Sequence, residues 1–106
     1  MAKYLLDVSY STEGIKTVVA KGGSARKAIA QAAAKSLGGK VEAFYFAFGG
    51  SDAYVIVDLP DNTAAAALAM AVSASGIGSI RTTVLLTTDE VDEATGKKVN
   101  YRSSTA

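Results

Sequence analysis

The chain has 106 residues, enough for one domain with a single hydrophobic core. Its formal net charge is +1, so no strong electrostatic field points to a nucleic acid, a membrane surface or an acidic partner. Cysteine and histidine are both absent, which excludes disulfides, thiolate chemistry and the commonest general base and metal ligand. We therefore expect no metal and no cofactor. No targeting segment or membrane span is recognisable, so a cytoplasmic location is expected.

The first predicted element is a strand over residues 4–10, because apolar and polar side chains alternate along it. A helix follows, with Ser11 as its expected N-cap. Its predicted buried face is an apolar stripe at helical spacing, formed by Ile15, Val18 and Val19.

Two adjacent glycines, Gly22 and Gly23, interrupt this helix. Ser24 is expected to cap a second helical segment, which ends at Gly38 and Gly39. The predicted inward face of that segment consists of residues at three- and four-residue steps: Ala25, Ala28, Ile29, Ala32, Ala33 and Leu37.

Residues 41–60 predict a hairpin, in which two strands rich in aromatic and β-branched residues flank a polar turn. The second strand has apolar residues at alternate positions that should lie under the helices: Val55, Val57 and Leu59. A turn at residues 49–52 pairs Phe48 with Ala53, Phe46 with Val55 and Phe44 with Val57. All three phenylalanines are therefore expected in the core.

Asp61 is the expected N-cap of a third helix after Pro60. The buried stripe of this helix is predicted to be Ala65, Leu68, Ala69 and Val72. A last strand runs over residues 77–87, and a capping box from Thr87 to Glu90 begins a short acidic helix that ends near Gly96. We divide the chain into a ferredoxin-like domain, residues 1–88, and a short acidic helix with a flexible basic tail, residues 89–106.

The order of elements is β-α-β-β-α-β, which predicts an α+β, ferredoxin-like fold with an antiparallel sheet and both helices on one face. The other face is expected to be open and to carry a mixture of apolar and polar side chains: Leu5, Asp7, Ser9, Tyr45, Tyr54, Ile56, Asp58, Arg81, Thr83 and Leu85. A sheet face with this much apolar area is rarely left in water. We expect two copies to pack face to face, as a homodimer or part of a higher homo-oligomer, and to enclose a polar-lined cavity.

Three segments, residues 3–10, 39–49 and 52–61, resemble the GYD domain family, and the resemblance covers roughly residues 3 to 94. It implies a small bacterial protein among the dimeric α/β barrels of ferredoxin-like fold. The family supplies no catalytic residues that could be assigned to positions of this chain.

Seven residues of the open face are candidates for a ligand pocket: Asp7, Ser9, Tyr45, Tyr54, Asp58, Arg81 and Thr83. Asp7 and Arg81 should be neighbours across two strands, where they could bind an anionic ligand or orient a proton acceptor; the alternative is a structural ion pair. The two tyrosines could donate hydrogen bonds to a substrate or simply pack in an interface. Asp58 could form a carboxylate pair with Asp7 or point outward at the strand end.

A second candidate site lies at the start of the second helical segment, at Gly23, Ser24, Ala25 and Arg26. Free backbone amides at a helix start, beside a basic side chain, could hold a phosphate or another small anion. The alternative is that the glycines only produce a kink.

These candidates support three hypotheses of different classes. The first is a homo-oligomeric module that binds a small molecule or has a structural role. The second is a small cofactor-independent enzyme, oxygenase- or isomerase-like, that acts on an oxygenated hydrophobic metabolite. The third is a regulatory domain that senses a small anion. Nothing in the sequence predicts binding to a nucleic acid or a membrane.

Overall fold

A computed structural model describes residues 1–102 of the chain. Its elements, in chain order, are β1 (Ala2–Tyr10), α1 (Thr12–Lys21), α2 (Gly23–Ser36), β2 (Lys40–Phe46), β3 (Ala53–Leu59), α3 (Asn62–Ala74), β4 (Gly78–Leu85) and α4 (Thr88–Thr95). None of the helices within the described residues is long and apolar enough to cross a membrane.

The four strands form one antiparallel sheet in the order β2-β3-β1-β4, so the predicted α+β, ferredoxin-like fold is confirmed. The strand β1 is central, and its alternation is as predicted, because Tyr4, Leu6 and Val8 are all buried on the side that faces the helices. The buried residues of β3 on the same side complete the centre of the core: Ala53, Val55, Val57 and Leu59.

Three of the predicted helix caps are confirmed. The side chains of Ser11, Asp61 and Thr87 each accept a hydrogen bond from a first-turn amide, and Thr87 forms the predicted capping box with Glu90. The assignment of Ser24 as the cap of α2 was wrong, because α2 begins one residue earlier, at Gly23, and its N-cap is Gly22, with φ 88°. Ser24 therefore lies inside the first turn.

The buried stripe of α3 is confirmed, with Ala65 and Leu68 at its centre. The predicted face of α1 was wrong for two of its three residues, since only Val18 is half-buried. Val19 is 81% exposed and Ile15 is also exposed, whereas the buried residue of α1 is Gly14. A helix that approaches the backbone of Ile77 this closely must present a glycine there, which turns its larger apolar side chains away from the core.

The predicted face of α2 was also wrong for two of its residues, since Ala28 and Ala32 are exposed. Ile29 is 47% exposed, but it faces the space between α2 and the sheet, as predicted. The buried residue of α2 is Ala34, and the remaining inward positions are only half-buried. On a helix this rich in alanine, the side chains that face the sheet hardly differ in hydrophobicity from those that face water.

The hairpin is offset by two residues from the predicted register: Phe46 is opposite Ala53 and Phe44 is opposite Val55. The connection spans residues 47–52 and is longer than predicted, because Asp52 is bound to β1 through its amide and its carboxylate. Phe48 lies in this connection and is fully exposed, so its placement in the core was wrong. Phe46 is 41% exposed and lies at the margin of the core, while Phe44 packs against the core.

The C-terminal part of the described chain extends away from the sheet. All of residues 86–102 are exposed, and α4 buries none of its residues. The radius of gyration is 16.9 Å and the longest dimension is 58 Å, whereas a compact domain of this length has a radius of about 13 Å. The proposed boundary near residue 88 stays a prediction, and residues 103–106 of the predicted tail lie outside the described residues.

Candidate functional site

The open face of the sheet is the face of the strands that points away from α1, α2 and α3. One row of side chains crosses all four strands of this face at a single register position. Tyr45 on β2 is opposite Tyr54 on β3, Tyr54 is opposite Asp7 on β1, and Asp7 is opposite Arg81 on β4. We call these four residues the polar row. The sheet topology thus brings together four of the candidate pocket residues.

Asp7 is the least accessible side chain of the polar row. Its carboxylate oxygen Oδ2 is 3.5 Å from the Arg81 guanidinium, at the long limit of a hydrogen bond. Its other oxygen, Oδ1, is buried and has no hydrogen-bond partner among residues 1–102. Arg81 is 86% exposed, so the guanidinium is free to move to another anion. An unpartnered buried carboxylate oxygen is rare in folded proteins and requires an explanation.

The next row along the sheet is almost wholly apolar. It consists of Ala43, Ile56, Leu5 and Thr83, one residue from each strand. Ser9 lies two residues beyond the polar row, opposite Ser79 on β4, and is exposed. The candidate residues Ser9 and Thr83 therefore flank the polar row on the same face, on either side of it.

Asp58 lies at the other end of the open face. It is opposite Lys3, and it is buried although it is charged. The Lys3 ammonium donates a 2.8 Å hydrogen bond to Asp58 and a 3.1 Å bond to Glu42, and these two bonds raise the pKa of Lys3 above its ordinary value. A β-bulge between Val41 and Ala43 adds a residue to β2 beside this cluster.

The hypothesis that Asp58 pairs with Asp7 was wrong. Asp7 is opposite Tyr54, which is four residues from Asp58 along β3, a distance of about 13 Å at 3.3 Å per residue. Asp58 is instead paired with Lys3. Lys3 has the same parity as Asp7 on β1 and therefore shares its face, so the alternation of β1 contained the signal for this partner.

The second candidate site, at Gly23–Arg26, is partly covered by aromatic side chains. A Cβ atom on Gly23 would lie 2.8 Å from the ring of Phe46, so this ring packs directly on the first turn of α2. The Arg26 guanidinium lies 5.6 Å above the ring of Tyr10, whose centroid is 6.5 Å from that of Phe46. Ser24 is exposed and Ala25 is half-buried. Anion binding at these residues stays a prediction.

Within residues 1–102 no group of three or more acidic side chains is arranged to hold a metal ion. The side chains of the open face offer hydrogen bonding by the tyrosines, charge pairing by Arg81 and a carboxylate acceptor, Asp7.

These features define a small α+β protein of ferredoxin-like fold with a mixed polar and apolar sheet face. The model of the GYD domain matches residues 4–95, which is most of the chain, and the chain therefore belongs to the GYD domain family. The resemblance predicted from the sequence is thus confirmed. A search of curated proteins and a search of solved structures each gave no match.

Proposed function

We propose that the protein is a homo-oligomeric binding module, in which the open sheet faces of two copies pack together and enclose a small-molecule pocket. The observation that carries this proposal is the composition of the open face. Ile56 and Leu5 lie side by side at its centre, Tyr54 lies on the same inner strand as Ile56, and Tyr45, 72% exposed, lies on the edge strand β2. Burying the apolar surface of these side chains against a second copy is favourable by about 25 cal/mol for each Å² removed from water.

The extended C-terminal segment supports the same proposal. It carries large apolar side chains that are exposed in the single chain: Leu86, Val91, Val99 and Tyr101. A segment that buries nothing on its own domain gains stability when a second subunit covers these side chains. The segment begins at the end of β4, an edge strand of the sheet, so it starts beside the proposed interface.

The polar row gives the enclosed pocket its chemistry. In a face-to-face dimer, the polar rows of both copies would line the interface. The unpartnered oxygen of Asp7 accepts a hydrogen bond from a ligand hydroxyl, and Arg81 pairs with a ligand oxygen that carries negative charge. A small polar or oxygenated molecule therefore suits the pocket better than a hydrocarbon.

The oligomeric state tests the proposal. Ile56→Lys places an ammonium group in the middle of the open face, and it should convert the dimer to a monomer in size-exclusion chromatography with multi-angle light scattering. Val19→Lys is the matched control, because Val19 is an exposed apolar residue on α1, and this variant should remain dimeric. A monomeric wild-type protein, or a dimer that survives Ile56→Lys, would overturn the proposed assembly.

The environment of Asp7 supports a second candidate function, a cofactor-independent enzyme in the same pocket. A half-buried carboxylate with one unpartnered oxygen can accept a proton from a substrate carbon or hydroxyl, while Arg81 stabilises the oxygen on which charge develops. Native mass spectrometry of protein from cells identifies any retained molecule. Turnover of that molecule by the wild type, and its loss in Asp7→Asn, would favour the enzyme over the binding module.

A further inference from the structure

A cavity of about 380 Å³ lies on the other side of the sheet, between the strands and the helices α2 and α3. Its floor is formed by apolar residues of the central strands, including Leu6, Val8 and Val55. Ligand pockets of small molecules begin at about 300 Å³, whereas a close-packed core leaves few voids larger than a water molecule. The lining residues Ile29, Ala71 and Ser75 are exposed, so this space opens to solvent, and a small molecule can enter it.

Several of the helix residues above the sheet are too small to fill the space over the strands. Ala30 and Ala33 of α2 and Ala71 of α3 line it, and none of them reaches far enough to fill the space above the strands. The one residue of α2 that is fully buried is Ala34, near its C-terminal end, and the middle of the helix stands over the cavity. The same alanines explain why the inward face of α2 could not be read from hydrophobicity.

Arg26 is the one charged side chain that lines the cavity among the described residues. It forms no ion pair within residues 1–102 and lies over the ring of Tyr10. Two hydroxyl groups of the lining are already engaged, because Thr17 donates to the carbonyl oxygen of Glu13 and Ser75 donates to that of Val72. The cavity thus combines an apolar interior with a single guanidinium.

We propose that this cavity binds an amphipathic monocarboxylate, with its hydrocarbon body against the central strands and its carboxylate on Arg26. The lining supplies what each part of such a molecule needs: apolar surface for the chain and one planar, bidentate donor for the headgroup. A neutral hydrocarbon leaves Arg26 without a partner. A dianion brings a second charge that no other lining residue neutralises.

The proposed site is separate from the proposed dimer interface, because the two lie on opposite faces of the sheet. The variant Ile56→Lys distinguishes a failure of the proposed dimer from a failure of the proposed cavity. Ligand binding by a monomeric Ile56→Lys protein would support the cavity irrespective of the assembly, and an intact dimer that does not bind the ligand would overturn the cavity alone.

Isothermal titration calorimetry with sodium decanoate and with decanol tests the headgroup. Decanoate should bind the wild type about tenfold more tightly than decanol, and shortening the acid by two methylene groups should weaken binding by about another tenfold. Arg26→Gln should remove the preference for the acid. Lys27→Gln removes the same charge from the next residue, which is exposed, and should leave the preference for the acid unchanged. Equal binding of acid and alcohol, or equal effects of the two variants, would overturn the assignment of Arg26.

A larger side chain inside the cavity tests its location. Ala30→Phe should reduce decanoate binding at least tenfold, whereas Ala32→Phe, on the exposed face of the same helix, should not. If Ala30→Phe fails to fold, amide chemical-shift mapping of the wild type with decanoate decides the question. Shifts should concentrate in α2, α3 and the central strands. Shifts confined to the open face or the C-terminal segment, or no binding of decanoate at all, would overturn the proposal.

Discussion

The helix α1 approaches the loop before β4 so closely that replacing Gly14 by alanine has two opposing effects on the free energy of unfolding. In Gly14→Ala, the added Cβ would overlap the carbonyl oxygen of Ile77 and lie 3.0 Å from its carbonyl carbon. Alanine favours a helix over glycine by about 1 kcal/mol. Overpacking costs about 1–3 kcal/mol. The helix cannot retreat freely, because Ser11 bonds it to this loop: its amide donates to the carbonyl oxygen of Ile77, at 2.8 Å, and its hydroxyl donates to that of Gly76, at 2.6 Å.

Weakening these two bonds adds about 1 kcal/mol to the cost, so we expect Gly14→Ala to destabilise the protein by about 1–3 kcal/mol. The assay is urea denaturation followed by far-ultraviolet circular dichroism, with an unchanged m-value. Gly96→Ala is the control. Gly96 has φ −82°, and its nearest contact to an added Cβ is 3.4 Å, so the change should be within about 0.5 kcal/mol. If Gly14→Ala is as stable as the wild type, the contact with Ile77 is not rigid and the reasoning fails.

Two further predictions concern charged side chains whose hydrogen bonds stabilise the sheet. Lys3→Met should lower stability at neutral pH because the buried Asp58 loses its partner. Since the hydrogen bond to Asp58 raises the pKa of Lys3 in the folded protein, the stabilisation is complete below the ordinary value of 10.5 and is lost as the pH rises beyond it. The difference between wild type and variant should therefore narrow at high pH, whereas Lys27→Met should show no such trend. Asp52→Ala should lower the free energy of unfolding by about 2 kcal/mol in urea denaturation, because Asp52 accepts a 2.8 Å hydrogen bond from the amide of Tyr10. Asp52→Asn keeps an acceptor and should cost less. Equal losses in the two variants would refute this role of the side chain.

The strand faces could be predicted from the sequence because large side chains mark them. Tyr4, Leu6 and Val8 share one face, whereas Asp7 and Ser9 share the other with Leu5, and this alternation fixed the face of Asp7. The register of the hairpin was wrong by two residues, but side chains of a strand alternate with a period of two. The slip therefore left Tyr45 on the predicted face, and the polar row could still be anticipated.

The faces of α1 and α2 and the cavity could not be predicted, because the residues that decide them carry little hydrophobic signal. Gly14 and Ala34 face the core through their small size, while Ile15 and Val19 face water. The hairpin connection depended on a contact between Asp52 and Tyr10, which are 42 residues apart in the sequence. Neither a close backbone approach nor a long-range side-chain bond leaves a periodic pattern.

The central strand β1 has one further consequence for the two sites proposed on its opposite faces. Leu6 and Val8 line the cavity, and Asp7, which lies between them, belongs to the polar row. A molecule in the cavity and a second subunit on the open face would therefore contact consecutive residues of β1. Free-energy coupling between two binding events is reciprocal. If occupancy of the cavity alters subunit affinity by some factor, dimerisation alters affinity for the carboxylate by that same factor.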